Sequence, residues 1–198
     1  MKQRHFFDVR EIEILDREVS YYEKRLGSNE YRRTIRFEEI TNVKVAENRN
    51  GLVFLGIAVL FVLSSFSVLE DGHEGENLGD YMWLYFLFIA VLAVIFYFYK
   101  SDKNWKIFLS TGSFFYIYSN KPNTDAVKNF LDELYLKRDK YLKDKYFSID
   151  KKMGYQNNLQ NLNWLKQTKV ITDEEFETRT KELKIAFAID VKVTGFRG

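Results

Sequence analysis

The chain has 198 residues, in which 30 Lys and Arg stand against 28 Asp and Glu, and it contains 2 His and no Cys. The charge is unevenly distributed, because residues 51–99 contain no Lys or Arg and their five acidic residues all lie between Glu70 and Asp80. Two uncharged blocks around a short acidic loop exclude an ordinary cytosolic globule, and the absence of Cys excludes disulfides, Cys-ligated zinc, iron–sulfur clusters and thiol nucleophiles.

Short runs of alternating apolar and polar residues precede the first uncharged block. They predict strands at residues 11–15, 19–25, 31–37 and 42–45, and Leu26-Gly27-Ser28-Asn29 is typical of a hairpin turn. Arginines after this turn are interleaved with glutamates. This pattern favours a solvated strand face with cross-strand ion pairs over a headgroup site, and weak contact with anionic lipid stays open.

The two uncharged blocks, residues 51–69 and 81–99, are each 19 residues long. At ~1.5 Å per residue a helix of this length covers about 28 Å, close to the hydrocarbon thickness of a bilayer. They therefore predict a transmembrane hairpin. The alternative, a pair of fully buried core helices, needs more surrounding protein than the rest of the chain supplies. A cleaved signal peptide is excluded because charged residues and predicted strands precede the first block.

The flanking charges predict the orientation of this hairpin. Lys44 and Arg49 precede the first block, Lys100, Lys103 and Lys106 follow the second, and the connecting loop has no Lys or Arg. Basic residues stay on the cytoplasmic side, so both termini are expected there and the acidic loop 70–80 outside.

Aromatic residues lie at both ends of the second block. A ring with an apolar body and a polar tip suits the interface between lipid and water. The predicted membrane anchors are Tyr81, Trp83, Tyr85, Tyr97 and Tyr99.

The acidic loop contains His73 among four carboxylates, a composition that a metal site or a pH sensor also has. Three glycines in the loop favour a solvated polar turn, because a cation would have to order the loop at an entropic cost. No metal site is predicted.

After the second block, residues 105–110 and 113–119 predict two further strands joined at Thr111-Gly112. Six strands indicate a small antiparallel sheet or barrel. Pro122-Asn123-Thr124 then begins a helix whose apolar residues recur at helical spacing, so that it closes an open end or face of the sheet.

Two of these segments resemble bacterial pleckstrin-homology-like (PH-like) domains. They are Arg36-Phe37-Glu38-Glu39-Ile40-Thr41-Asn42-Val43-Lys44-Val45 and Trp105-Lys106-Ile107-Phe108-Leu109-Ser110, the latter followed by a glycine turn and an amphipathic helix. The resemblance covers residues 10 to about 140. It implies a small β roll closed by a helix, split into residues 1–50 and 100–147 by the hairpin at 51–99, as in membrane-anchored bacterial members. The implied location is the bacterial inner membrane.

Residues 137–152 carry seven basic and three acidic side chains with aromatic residues between them. This basic segment is the best candidate for a surface that faces lipid or a partner, although a solvated continuation of the closing helix explains it equally well. Nucleic-acid binding is not expected from one short patch in a tethered chain. The candidate lipid-surface residues are Lys137, Arg138, Lys140, Lys143 and Lys145.

A linker at 148–156 is expected to lead to a pair of short helices. Leu159, Leu162 and Leu165 mark the first helix. Thr172 and Glu175 have the spacing of a capping box for the second. Ile171 and Phe176 would form a hydrophobic staple beside that box, and Leu183 continues the apolar face. Two such helices cannot bury a core alone, so their apolar faces must dock on something else, for example a second copy.

The sequence Val170-Ile171-Thr172-Asp173-Glu174-Glu175-Phe176-Glu177 within residues 157–185 resembles the SHOCT module. The resemblance implies oligomerisation or partner docking, through Leu159, Leu162, Leu165, Ile171, Thr172, Glu175, Phe176 and Leu183. The family usually has Gly at the position of Lys169, the left-handed residue that ends the first helix, so this turn is expected to be looser or longer.

The tail, residues 186–198, follows a strand-like alternation that begins at Ile185 and continues through Phe187, Ile189, Val191 and Val193. It predicts a terminal strand that adds to a sheet edge, since a free strand would invite aggregation. The alternative is that the second helix continues to about residue 189 and frays.

The chain is thus expected to be an α+β membrane protein, with a β roll closed by a helix, an inserted transmembrane hairpin and a C-terminal helical pair. Two separated His residues and the absence of nucleophile and phosphate-binding motifs predict a non-enzymatic protein without a cofactor. The leading hypothesis is an inner-membrane scaffold or accessory subunit that binds protein or self-assembles. The alternatives are a multimeric effector or channel lined by Ser64, Ser65 and Ser67, and a sensor of anionic lipid.

Overall fold

The computed structural model describes residues 1–71 and 81–194, of which residues 68–71 and 188–194 are described by their backbone alone. The predicted loop residues 72–80, including His73, lie outside the described residues. Within the described ranges the chain is α+β, with seven strands in two antiparallel sheets and five α-helices.

The first sheet contains four strands in the order β1-β2-β3-β4. Its inward face carries buried apolar side chains such as Ile12, Val19 and Ile35, and the intervening residues face solvent, which confirms the predicted alternation. The strands are β1 (Lys2–His5), β2 (Asp8–Ile14), β3 (Glu18–Lys24) and β4 (Tyr31–Arg36).

Strand β1 was not predicted, because its sequence Lys-Gln-Arg-His has no apolar residue. Its buried residues are the polar Gln3 and His5. The Gln3 side-chain amide pairs with the backbone of Tyr118, whose N–H donates to Gln3 Oε1 and whose C=O accepts from Nε2, both at 2.9 Å. Gln3 therefore joins the two sheets in the way that a neighbouring strand would.

The second sheet has the order β5-β6-β7 and is interrupted in sequence by two helices. The strands β5 and β6 pair from Ile40↔Leu109 to Arg49↔Asp102, with an irregularity after Ile40. A 3₁₀ turn at Phe37–Glu39 links the sheets. The strands are β5 (Ile40–Arg49), β6 (Asp102–Leu109) and β7 (Phe114–Tyr118).

Helices α1 (Leu52–Asp71) and α2 (Met82–Lys100) extend directly from the paired ends of β5 and β6. They run antiparallel, since Phe54 contacts Phe96 and Phe61 contacts Phe86. The two helices form a hairpin whose base is the last pair of the β5–β6 ladder.

Helix α3 (Thr124–Tyr146) closes the core of the two sheets, as predicted. The Asn123 side chain accepts a hydrogen bond from the N–H of Ala126 at 2.7 Å and so caps the first turn. Val127, Leu131 and Leu134 are buried against the sheets, which fits the helical spacing of the apolar residues.

The C-terminal helices are α4 (Gly154–Gln167) and α5 (Asp173–Thr194), preceded by a 3₁₀ turn at Lys151–Met153 inside the predicted linker. They pack on the end of α3 around a second core that contains Leu142, Leu162 and Leu183. The helical pair thus docks on its own chain.

The predicted terminal strand is wrong, because α5 continues to Thr194 and residues 195–198 lie outside the described part. Leu183 and Phe187 are four residues apart on one helix face and both belong to the second core. Phe187 also contacts the ring of Tyr155 on α4 at 5.8 Å between centroids. Packing against α4 therefore overrides the twofold alternation of the tail.

Candidate functional site

The outer surface of the α1–α2 hairpin is apolar. Small residues lie where the helices touch, since Ala58, Ala90 and Ala93 are buried. Large side chains point outwards, and Val91 for example is 56% exposed. The exposed large apolar residues of the hairpin include Leu52, Val53, Leu55, Val59, Leu60, Leu63, Phe66, Leu84, Phe88, Val91, Leu92, Ile95, Phe96 and Phe98.

By length and composition α2 can cross a membrane, whereas the apolar part of α1 is the shorter stretch Leu52–Ser67. Ser64, Ser65 and Ser67 donate hydrogen bonds to carbonyl oxygens of their own helix, to Leu60, Val62 and Leu63. Ser65 is also buried, so its hydroxyl does not face outwards.

The helix hairpin is held together at its base by a close backbone approach. A Cβ atom at Gly51 would lie 2.7 Å from the carbonyl oxygen of Tyr97, and the Gly51 N–H donates to Ser101 Oγ at 3.2 Å. Only a residue without a side chain fits here unless α2 moves.

The five predicted anchors have different surroundings. Tyr81 and Tyr85 are exposed at the start of α2, and Trp83 and Tyr97 are half-buried. Tyr99 packs on the β1–β2 turn, where its hydroxyl donates to Asp8 Oδ1 at 3.2 Å and its ring stacks on His5. Tyr99 therefore attaches the end of α2 to the first sheet.

A buried polar network lies beneath this junction, and Arg10 is its centre. Arg10 Nε donates to Glu23 Oε1 and Nη1 donates to Asn104 Oδ1, both at 2.7 Å, and the guanidinium lies 3.9 Å from the ring centroid of Tyr118. Sequence reasoning missed this role, although Arg10 shares the inward side of β2 with Ile12.

Charge and burial shift the pKa values in this network. Burial alone would raise the pKa of Glu23, but Arg10 and Arg25 outweigh it and hold the pKa of that carboxyl below its usual range. Burial raises the pKa of Tyr118 to about 12 and lowers that of His5. Tyr118 and His5 therefore stay neutral at pH 7.

Near the network, a cleft of about 270 Å³ opens beside α2. In the described part of the chain, buried Asp102 Oδ1, Asn104 Nδ2 and the Tyr118 hydroxyl lack a hydrogen-bond partner. No group of three potential metal ligands occurs in residues 1–71 and 81–194. The cleft is lined by Asp8, Arg10, Arg25, Leu26, Ser28, Arg49, Tyr99, Lys100 and Asp102.

The turn between α4 and α5 contains the predicted capping box, but its first half is not looser as expected. Thr172 Oγ1 accepts from the N–H of Glu175 and Glu175 Oε2 accepts from the N–H of Thr172, both at 3.1 Å, which is a capping box. Lys169 has φ of 57°, with hydrogen bonds from its N–H to Lys166 O and from Val170 N–H to Leu165 O. This is a Schellman motif with lysine at the left-handed position, and it is closed rather than looser.

Most of the predicted interaction residues pack inside the chain, where they stabilise the C-terminal helices. Leu162, Leu165, Ile171 and Leu183 are buried in the second core, and Leu159 and Phe176 pack against it. Thr172 and Glu175 form the capping box described above. None of the four buried leucine and isoleucine side chains offers a free docking surface.

The basic segment is also engaged within the chain. Arg138 is fully buried, donates to the carbonyl oxygen of Ile40 at 3.1 Å and contacts Asn42 and Asp139, so its assignment to a lipid-facing surface is wrong. Of the others, Lys140 is exposed. The remaining three pair with carboxylates: Lys137 with Glu133, Lys143 with Glu175 and Lys145 with Glu38.

Contacts of Glu38 and Asn42 connect the sheets to α3 and to α4. Glu38 accepts from Lys145 Nζ at 2.8 Å and from the hydroxyls of Tyr141 and Tyr146, all on α3. Asn42 on β5 donates to the carbonyl oxygen of Thr168 at the end of α4. The C-terminal helices are therefore anchored on the β domain, which consists of the two sheets and the closing helix α3.

Compared with protein-family models, with curated proteins and with solved structures, the chain matches none significantly.

Proposed function

We propose that this chain is a non-enzymatic scaffold or accessory subunit of the bacterial inner membrane, which binds protein or self-assembles at the cytoplasmic face. The observation that carries the proposal is the apolar exterior of the α1–α2 hairpin. Large apolar side chains cover both helices, and such a surface is unfavourable in water but favourable in lipid.

In this proposal both helices span the bilayer and both termini are cytoplasmic. The basic residues Arg49 and Lys100 lie at the base of the hairpin, and the far end of α2 carries exposed Tyr81 and Tyr85. This distribution supports a cytoplasmic β domain, because lysine and arginine are retained on that side.

The β domain is proposed to be PH-like. Four strands followed by three, closed by helix α3, support the resemblance in residues 36–45 and 105–110. The hairpin is inserted between β5 and β6, so the domain is attached to the membrane at two adjacent points.

The C-terminal helices are proposed to be SHOCT-like and to dock a partner through their outward side. Their inward residues are used by the second core, which leaves exposed residues such as Ile185, Lys181 and Lys184 on α5. Ile185 is 61% exposed and is therefore accessible to a partner.

The experiment is a mass determination of the particle extracted in mild detergent from native membranes, by light scattering combined with mass spectrometry of its contents. A homomultimer or a stoichiometric second protein is expected. A particle that contains one copy of this chain and no other protein, even after cross-linking in the membrane, would contradict the proposal.

Point variants locate the docking surface better than truncation, because a chain ending at Lys152 would expose Leu142. The particle formed by the Ile185→Glu variant is expected to lack the second protein, or to contain a single copy of this chain. Leu136→Glu changes an apolar residue on α3 that is 72% exposed and serves as the matched control. Loss of assembly in the control alone would move the interface to α3.

A further inference from the structure

The turn between β1 and β2 has an unusual composition. Phe6 and Phe7 form a two-residue loop between the paired residues His5 and Asp8, and they are 55% and 67% exposed. Two-residue hairpin loops usually contain Gly, Asn or Asp, because they need positive φ at their first residue. Phe6 has φ of 52°, which is an unfavourable backbone conformation for an aromatic residue.

The turn lies beside the C-terminal end of α2, at the base of the helical hairpin. The Phe6 ring contacts the Tyr99 ring edge to face at 5.9 Å between centroids. Asp8 Oδ1 accepts from the Tyr99 hydroxyl at 3.2 Å and from the N–H of Leu26 at 3.1 Å. Leu26, in the neighbouring β3–β4 turn, is also mostly exposed. Two turns that carry exposed large apolar side chains, Phe6 and Phe7 in one and Leu26 in the other, thus lie beside the base of the helical hairpin.

Basic side chains border this apolar group. Arg25, Arg49 and Lys100 line the cleft next to Leu26 and Tyr99, together with Asp8 and Asp102. Asp8 is already engaged by two hydrogen bonds. In a bilayer the phosphates lie outside the acyl chains. Apolar side chains at the tip would meet the acyl chains, and the arginine and lysine side chains that border the tip would meet the phosphates.

We propose that Phe6, Phe7 and Leu26 form an apolar tip that inserts into the lipid interface beside the transmembrane hairpin and sets the orientation of the β domain against the membrane. The partner is a lipid surface that contains anionic phospholipid. This inference rests on the proposed membrane hairpin. Lipid is favoured over protein as the occupant because the tip is continuous, through Tyr99, with the helix that enters the bilayer.

The natural absence of Cys allows single nitroxide labels in the full chain, reconstituted in vesicles of phosphatidylethanolamine and phosphatidylglycerol. Labels at Leu26→Cys and Phe7→Cys are compared with labels at Val91→Cys on α2 and Leu136→Cys on α3. Each label is tested for collision with oxygen, which concentrates in lipid, and with a water-soluble nickel chelate. The expected result is lipid-like accessibility at positions 26, 7 and 91 and water-like accessibility at 136.

The outcomes separate this inference from the proposed anchor. A lipid-like label at 91 with water-like labels at 7 and 26 would overturn the inference alone, and protection of 7 and 26 from both reagents would indicate a protein contact and also overturn it. A water-like label at 91 would overturn the anchor and the inference together. In the Leu26→Cys background, Phe6→Ser with Phe7→Ser should abolish the lipid-like accessibility of the label, whereas Leu136→Ser should leave it unchanged.

Discussion

Arg138 is buried, although it belongs to a basic segment of the sequence that is expected to be exposed. It belongs to a segment with seven basic side chains, yet it is fully buried and donates to the carbonyl oxygen of Ile40. Its neighbours Lys137 and Lys140 are exposed. The helical position decides this difference, because Arg138 lies on the same face of α3 as Leu131, Leu134 and Leu142.

Arg138→Leu should lower the free energy of unfolding by about 3 kcal/mol, since it leaves the Ile40 carbonyl and the Asn42 amide oxygen without their donor. Denaturant unfolding in mild detergent measures the change. The control, Lys137→Ala, removes only an exposed pair with Glu133 and should change stability by less than about 1 kcal/mol. Equal effects in the two variants would contradict the structural role of Arg138.

Lys169→Gly should stabilise the protein by about 1 kcal/mol, because a Cβ atom is unfavourable at its φ of 57°. The matched change Gln160→Gly, at an exposed position inside α4, should cost about 1 kcal/mol instead. The same unfolding measurement gives both values. If Lys169→Gly were as destabilising as Gln160→Gly, the left-handed turn would not exist in solution.

At the scale of elements, the hairpin depends on the close contact between its two helices at the base. Gly51→Ala should cost about 1–3 kcal/mol, because the new methyl group would meet the Tyr97 carbonyl oxygen at 2.7 Å. Gly56→Ala is the control within α1, where nothing lies within 4 Å of the added Cβ, and it should leave stability unchanged or raise it by up to about 1 kcal/mol. Thermal unfolding in detergent should rank the two variants in this order.

The junction between the 3₁₀ turn and α3 should make stability depend on pH. Burial would raise the pKa of Glu38, but hydrogen bonds from Lys145, from backbone and from Tyr141 lower it below the ordinary value of about 4.3. The unfolded chain therefore binds the proton more readily, so this contribution is complete above about pH 4.3 and is lost as the pH falls through the lower folded pKa.

In Glu38→Gln the loss of stability on acidification should therefore be smaller than in the natural chain, measured by unfolding between about pH 6 and pH 3. Glu133→Gln, at an exposed position on α3, is the comparison and should keep the natural slope. Identical slopes for Glu38→Gln and the natural chain would contradict the contribution of Glu38.

At the scale of the molecule, the proposed topology places residues 72–80 outside the cell and both termini inside. Single cysteines at Asn77 and Asn157 test this arrangement in intact cells with a membrane-impermeant maleimide. Asn77→Cys should react before lysis, and Asn157→Cys, at an exposed position on α4, should react only after lysis. Reaction of both residues before lysis would contradict the orientation.

Elements with local signals could be predicted from the amino-acid sequence. Strand alternation, two uncharged blocks, the Asn123 cap and the Thr172–Glu175 capping box each involve residues a few positions apart, so they can be read without the rest of the chain. Strand β1 and the helical end of α5 were not predicted, because both depend on contacts with distant elements.

The burial of particular polar residues and the docking of the C-terminal helices depend on contacts between distant segments. Arg10 meets Asn104, Arg138 meets Ile40 and Lys143 meets Glu175, pairs that lie far apart in sequence. Charge counts and periodicity describe one segment at a time and cannot specify such partners. Burial of a polar group is stable only where a complementary group lies within hydrogen-bond distance, and folding of the whole chain is what brings those groups together.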